Sequence, residues 1–283
     1  MSLDPWTIGA AAAIPIASLF VYFKFIKKSP QIPKTKEIQL FTFGRWKHQP
    51  HCADASPFCL KLEAFLRLTG LQYKRGSAIQ SEFKNPTGKT PFIIHDGKLI
   101  GDSTIIIDYL KFTFGDAVDI DQQLSCEEKS IAHAYISMIE NNLYYILIFV
   151  RWWDQPEISF SLFDKVPFLL RSLIYKQIQS KTKQAIYSQG IGRFDRATIF
   201  NMGIKDMTAI SSLLSDKQFF FDSPKPTTLD IVVYAIVTEL LTVVGQSNAM
   251  IEHCKKHTKN LFAHQRRVHR LAFPELPEAP ELN

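Results

Sequence analysis

Three short groups of residues in this 283-residue chain are of types that do chemistry. The first is Ser56-Pro57, which opens an apolar repeat at helical spacing (Phe58, Leu62, Phe65, Leu66). Ser is a favoured N-cap, and Pro suits the first helical position because its missing N–H costs nothing there. A hydroxyl at a helix N-terminus can also donate to an anion, so Ser56 is either a cap or a functional donor. Cys59, three residues further on, is either inert packing or a redox thiol favoured by the first helical turn. The second group is His48, His51 and Cys52, with Cys59 beyond. Imidazole and thiolate suit Zn²⁺ or Cd²⁺, but the spacing matches no standard site and a solvated loop is the competing reading. The third is Asp102-Ser103, which reads on its own as an ordinary helix cap.

The elements that hold these groups follow from periodicity. Residues 38–43 alternate as a strand, Gly70 stops the helix that begins at Ser56, and residues 71–74 start a second strand. Asn85-Pro86-Thr87-Gly88 is a turn. Residues 90–95 and 98–100 flank Asp96-Gly97, a strong hairpin signal. Gly101-Asp102-Ser103 then opens a helix through Ile105, Ile106, Tyr109 and Leu110. Beyond Gly115 strand signals cease. Capping boxes at Ser125–Glu128 and Thr227–Asp230, and an amphipathic stretch over 249–271, predict an all-α second half. Residues 160–175 are apolar nearly all round and read as buried in it or as resting on a membrane surface beside the anchor. The expected division is 1–28 anchor, 29–37 linker, 38–116 α/β domain, 117–272 helical domain and 273–283 Pro-rich tail.

The anchor expectation rests on residues 6–23, which carry no charge and are followed by Lys24, Lys27 and Lys28. Eighteen helical residues span about 27 Å, barely a bilayer core. No basic region precedes the tract, which favours a retained single-pass anchor over a cleaved signal, with the body facing the cytosol. A net charge of +6 falls short of a nucleic-acid footprint. Four scattered cysteines are too few for a disulfide framework, and with 46% apolar residues the chain can bury real cores.

Ser56-Pro-Phe-Cys-Leu-Lys-Leu-Glu63, Gly88-Lys-Thr-Pro-Phe92, Ile105-Ile-Ile-Asp-Tyr-Leu110, Gly190-Ile-Gly-Arg-Phe194 and Pro226-Thr-Thr-Leu-Asp230 occur in that order. The series resembles the failed-axon-connections and cadmium-responsive family, which shares the glutathione transferase fold and is related to the metaxins. The resemblance implies a thioredoxin-like N-terminal domain joined to a helical C-terminal domain. It implies glutathione as ligand or co-substrate, no tightly bound cofactor, and a small electrophile as second substrate. Ser56 would then hold the thiolate as the catalytic group. Thr90, before a cis Pro91, would pair with the cysteinyl backbone. Asp102 and Ser103 would take the γ-glutamyl ammonium and carboxylate, and Lys89 the glycyl carboxylate. Residues 44–55 do not map onto the family pattern, and Asp102 stands where Glu is usual. Three functions are open: a glutathione-dependent stress enzyme, a non-catalytic scaffold holding a protein partner or a second copy, and soft-metal sequestration.

Overall fold

The computed structural model describes residues 30–164, 166–243 and 249–280. Four strands form one sheet: β1 (Ile38–Thr42), β2 (Tyr73–Ser77), β3 (Phe92–His95) and β4 (Lys98–Gly101), in the order β2-β1-β3-β4. Helix α1 (Pro57–Leu68) carries the chain from β1 to its parallel neighbour β2, as a parallel pair requires. β3 and β4 form the hairpin. Asp96 (φ 48°) and Gly97 (φ 73°) both take positive φ, the backbone of a two-residue turn that matches strand twist. Alternation in β1 buries Ile38, Leu40 and Thr42 against α1.

Helix α2 (Ser103–Phe114) closes the α/β half. A long rod, α3, follows: Cys126–Met138, a π-helical stretch Ile139–Leu143, regular helix Tyr144–Phe149, and a second π-helical stretch Val150–Asp154. Then come α4 (Pro156–Phe160), α5 (Phe168–Gln189), α6 (Arg196–Leu214), α7 (Thr228–Leu241), α8 (Ala249–His257) and α9 (Lys259–Ala272). Both expected capping boxes form, Ser125 with Glu128 and Thr227 with Asp230. The stretch 249–271 is two helices, broken at Thr258. Leu162, Leu170 and Leu173 are exposed, so the 160–175 segment is only partly buried, which departs from the buried reading.

Helix α7 joins the two halves. Ile231, Tyr234 and Ala235 pack into the core beneath the sheet, whereas Val232, Val233, Ile236 and Val237 pack into the bundle core. That two-sided burial explains why its sequence is apolar all round. It also explains why α1, pressed between the sheet and α7, buries Lys61 and Glu63 with its leucines.

The single-pass anchor and membrane localisation are corrected here. No helix among the described residues is long and apolar enough to cross a membrane. The tract at 6–23 lies outside the described residues.

Candidate glutathione site

Strand register brings Ser56, Thr90-Pro91 and Asp102-Ser103 to one end of the sheet. Phe92 pairs with Phe41 near the end of β1 and with Gly101 at the end of β4. The chain therefore leaves β1 toward Ser56, enters β3 from Thr90-Pro91, and leaves β4 into Asp102-Ser103, all at the same edge. The Thr90–Pro91 peptide is cis. The N-terminal turns of α1 and α2 lie side by side: Lys61 Nζ donates to Thr104 Oγ1 at 2.7 Å.

Ser56 is buried, in extended backbone (φ −125°, ψ 127°), and its side chain makes no capping hydrogen bond. Its own N–H donates to Asp54 Oδ1 at 3.1 Å. Asp102 does act as a cap. Its Oδ1 accepts from Thr104 N (2.9 Å) and Ile105 N (3.3 Å), and Oδ2 makes no bond among the described residues. Asp102 holds φ 75°, a region that costs a non-glycine residue about 1–3 kcal/mol and is concentrated at functional sites. Ser103 beside it is buried and Lys89 is exposed. Asn85 laces the 85–89 turn to the sheet edge: Nδ2 donates to Lys89 O at 2.9 Å. The Asn85 side chain also fills the space where a Cβ on Gly101 would come within 2.1 Å of Nδ2.

Beneath Ser56 lies a buried polar frame that the sequence pattern did not reveal. Asp54 is fully buried; its Oδ2 accepts from Gly44 N (2.8 Å) and Arg75 Nη2 (2.7 Å). Burial pushes its carboxyl above the usual range, with Arg75 opposing. Arg75 also meets Glu63 Oε2 at 3.1 Å and Thr42 Oγ1 at 3.0 Å. From the helical half, Arg151 donates to Ala55 O at 3.2 Å, pairs with Glu239 and stacks on Trp46 at 5.0 Å. A lone charge within an apolar helical run, such as Glu63 or Glu239, is the signal that points to such a frame.

The thiol and metal expectations meet a different environment. Cys59 is fully buried, and burial, then the Asp54 carboxylate, drives its thiol well above the ordinary value. Cys59 is packed in the core beneath the sheet with no exposed surface. Cys52 is likewise fully buried and donates to Asp54 O at 2.8 Å. His48 turns outward to Asp164, while His51 is buried with its pKa lowered, by burial first and then by His269. Among the described residues no group of three or more His, Cys, Asp or Glu could hold a metal ion. His48 and Cys52 turn to different partners, so the structure does not bring His48, His51 and Cys52 together as a ligand set.

A cleft runs between α1 and the helical half, lined by Pro57, Phe58 and Lys61 on one side and Glu140, Tyr144 and Ile236 on the other. Its cavity volume is about 10 Å³, roughly the room of one water molecule. Two contacts close it. The Phe58 and Tyr144 rings meet edge to face at 4.7 Å, and Lys61 bonds Glu140 Oε1 at 2.7 Å.

Residues 57–157 match the glutathione S-transferase N-terminal domain, and residues 203–268 match the glutathione S-transferase C-terminal domain. The chain is a glutathione S-transferase-like protein. This transferase-like chain is 29% identical over 255 residues to Failed axon connections of Drosophila melanogaster, covering 85% of the chain but only 59% of that relative's length. It is 29% identical over 199 residues to an isoprene-epoxide–glutathione S-transferase of Rhodococcus, covering 66% of the chain and 81% of that enzyme. Metaxin-2 of Mus musculus is 24% identical over 220 residues, covering 76% and 82%. Among solved structures, a glutathione S-transferase of Ceriporiopsis subvermispora in complex with glutathione superposes with a TM-score of 0.57 at 18% identity, covering 84% of the chain and 98% of that structure. At that identity the likeness establishes the fold.

Proposed function

We propose that the chain binds glutathione at this sheet edge and holds its sulfur as a thiolate at Ser56, for addition to a small electrophile. The observation that carries the reading is the convergence of Ser56, Thr90 and Ser103 at one edge, with the Ser56 hydroxyl left unspent as a cap. A helix N-terminus and a hydroxyl donor both favour thiolate over thiol, whose free pKa is about 8.5. Ser103 at the start of α2 suits the γ-glutamyl carboxylate. Asp102 Oδ2 suits the ammonium, the Thr90 backbone the cysteinyl unit, and the exposed Lys89 the glycyl carboxylate. Glutathione is bound by solved relatives of the fold, among them the Ceriporiopsis enzyme. The test is the ultraviolet thiolate absorbance of glutathione mixed with excess protein near neutral pH. The natural chain should ionise the bound thiol and Ser56→Ala should leave it mostly protonated, an upward shift of about one to two pKa units. Equal thiolate in both proteins would remove Ser56 from the role.

A second reading is a non-catalytic scaffold. It is favoured by the closure of the cleft through Phe58–Tyr144 and Lys61–Glu140. The outer face of α2, where Phe112 is 90% and Ile105 59% exposed, suits a protein partner or a second copy. A chain that folds but takes up no glutathione would leave this reading in place.

A further inference from the structure

Helix α5 (Phe168–Gln189) turns an orderly face to solvent, outside the glutathione site. Tyr175 and Ile186 are buried on its inner side. Opposite them Leu170, Leu173, Gln177, Ser180, Gln184 and Tyr187 recur at alternating spacings of three and four, and all of them are exposed. That alternation is the a and d pattern of a seam along which two helices pack, and the flanking e and g positions choose the partner. The seam is apolar at its two ends, where Leu170 is 50%, Leu173 68% and Tyr187 57% exposed. Its flanks are basic: Lys181 stands at an e position, and Lys176 and Lys183 at g positions, all three exposed. Along the whole helix the charged residues are Arg171, Lys176, Lys181 and Lys183, with no Asp or Glu. Asp164, just before the helix, is held by His48 and Arg171, and Lys176 and Lys181 make no ion pair among the described residues. A helix face meant only for water ordinarily mixes both signs and gains from Glu–Lys pairs one turn apart. Here the negative member of every such pair is missing.

We propose that this face docks one amphipathic helix of an acidic protein partner. Leu170, Leu173 and Tyr187 enter that helix's apolar stripe, and Lys176, Lys181 and Lys183 face its carboxylates. The charge pattern selects this occupant over two others. A second copy packed through the same face would set the lysines of one α5 against those of the other, and like charges across a seam select against that pairing. An anionic membrane takes a helix whose whole apolar face sinks into the acyl boundary. The middle of this stripe is Gln177, Ser180 and Gln184, which would be desolvated there without partners. A partner helix accepts polar residues in mid-seam, where they fix register at a cost in affinity. With apolar anchors only at the two ends, the contact is reversible, and the lysine flanks act chiefly on the rate and specificity of encounter. The inference draws on no residue of the glutathione site and stands whether or not glutathione binds.

The test uses the full chain and two synthetic four-heptad peptides with Leu at a and d, one carrying Glu at e and g and the other Lys. Neither pairs with itself at neutral pH, because its own e and g charges repel. Fluorescence anisotropy should show the acidic peptide binding saturably, one per chain, and the basic peptide not binding. Raising salt from about 50 to about 500 mM should weaken the acidic complex about tenfold, since exposed charge pairs are screened. Leu173→Glu should weaken it about tenfold or more, the scale of losing an apolar anchor, and Lys181→Glu about threefold. Both side chains are exposed, so both variants should keep the natural chain's melting temperature; if Leu173→Glu does not, Lys181→Glu and the salt dependence decide. Equal binding of the two peptides, no binding of the acidic one, or unchanged affinity in both variants would overturn the proposal. Phosphatidylserine vesicles that retain the natural chain but not Leu173→Glu would assign the face to lipid instead. A dimer seen by sedimentation and lost in Leu173→Glu would assign it to a second copy; either result also overturns the acidic helix.

Discussion

Asp54→Ala is expected to destabilise the chain by about 3–5 kcal/mol, the usual consequence of breaking a buried ion pair by removing one partner. The loss leaves Arg75 facing Glu63 alone and strips the Gly44 and Ser56 amides of their acceptor. Because those amides fix both ends of the 44–56 segment, Ser56 should lose its position together with the stability. Asp54→Asn keeps the shape and part of the hydrogen bonding, so its penalty should be clearly smaller. Urea midpoints of the three proteins check this. An alanine variant within about 0.5 kcal/mol of the natural chain, the ordinary range of surface substitutions, would mean that Asp54 is no keystone.

The second large effect concerns Glu239, fully buried opposite Arg151. Burial, with Arg151 opposing it, pushes this carboxyl from 4.5 up to about 7. Between those pH values the folded chain holds a proton that the unfolded chain has released, so stability from this group falls as pH rises through that window. The full loss is about 3 kcal/mol. Glu239→Gln resembles the protonated form and removes the slope. It should match the natural chain near pH 4.5 and exceed it by up to about 3 kcal/mol near pH 8. His51 and His269 act in the opposite sense, because their lowered pKa values make stability fall as pH drops below 6.5. Both proteins contain them, so the difference between the two urea curves isolates Glu239. A glutamine variant less stable at pH 8 would show that the Arg151 pair outweighs the burial of its charge.

What the sequence revealed was local. The Ser125 and Thr227 capping boxes, the Asp96-Gly97 turn and the apolar α7 depend on neighbours a few residues away, and each formed as expected. The 44–55 segment was opaque because its partners are remote in sequence. Trp46 Nε1 donates to Ser161 Oγ at 3.1 Å, His48 turns to Asp164, and Gln49 Nε2 reaches Thr242 O at 3.4 Å. Such contacts leave no periodic trace. Lys61, Glu63 and Glu239 carry only a weak signal for a related reason: a charge inside an apolar helical run is out of place, but which partner buries it depends on packing from both sides. The metal set was not brought together because the sequence shows spacing and not direction; His48 and Cys52 share a loop and point to different partners. The Ser56 hydroxyl is the converse case. Residue type allowed either a cap or a functional donor, and the N-cap carries no capping bond.

The most direct test of the account is calorimetric titration of the full chain with glutathione, repeated on Ser103→Ala. The account predicts saturable binding at one site per chain. It also predicts an affinity about 10- to 100-fold weaker in the variant, the range for losing a hydrogen bond to a charged group. Absence of binding by the natural chain, or equal affinity in the two proteins, would contradict it.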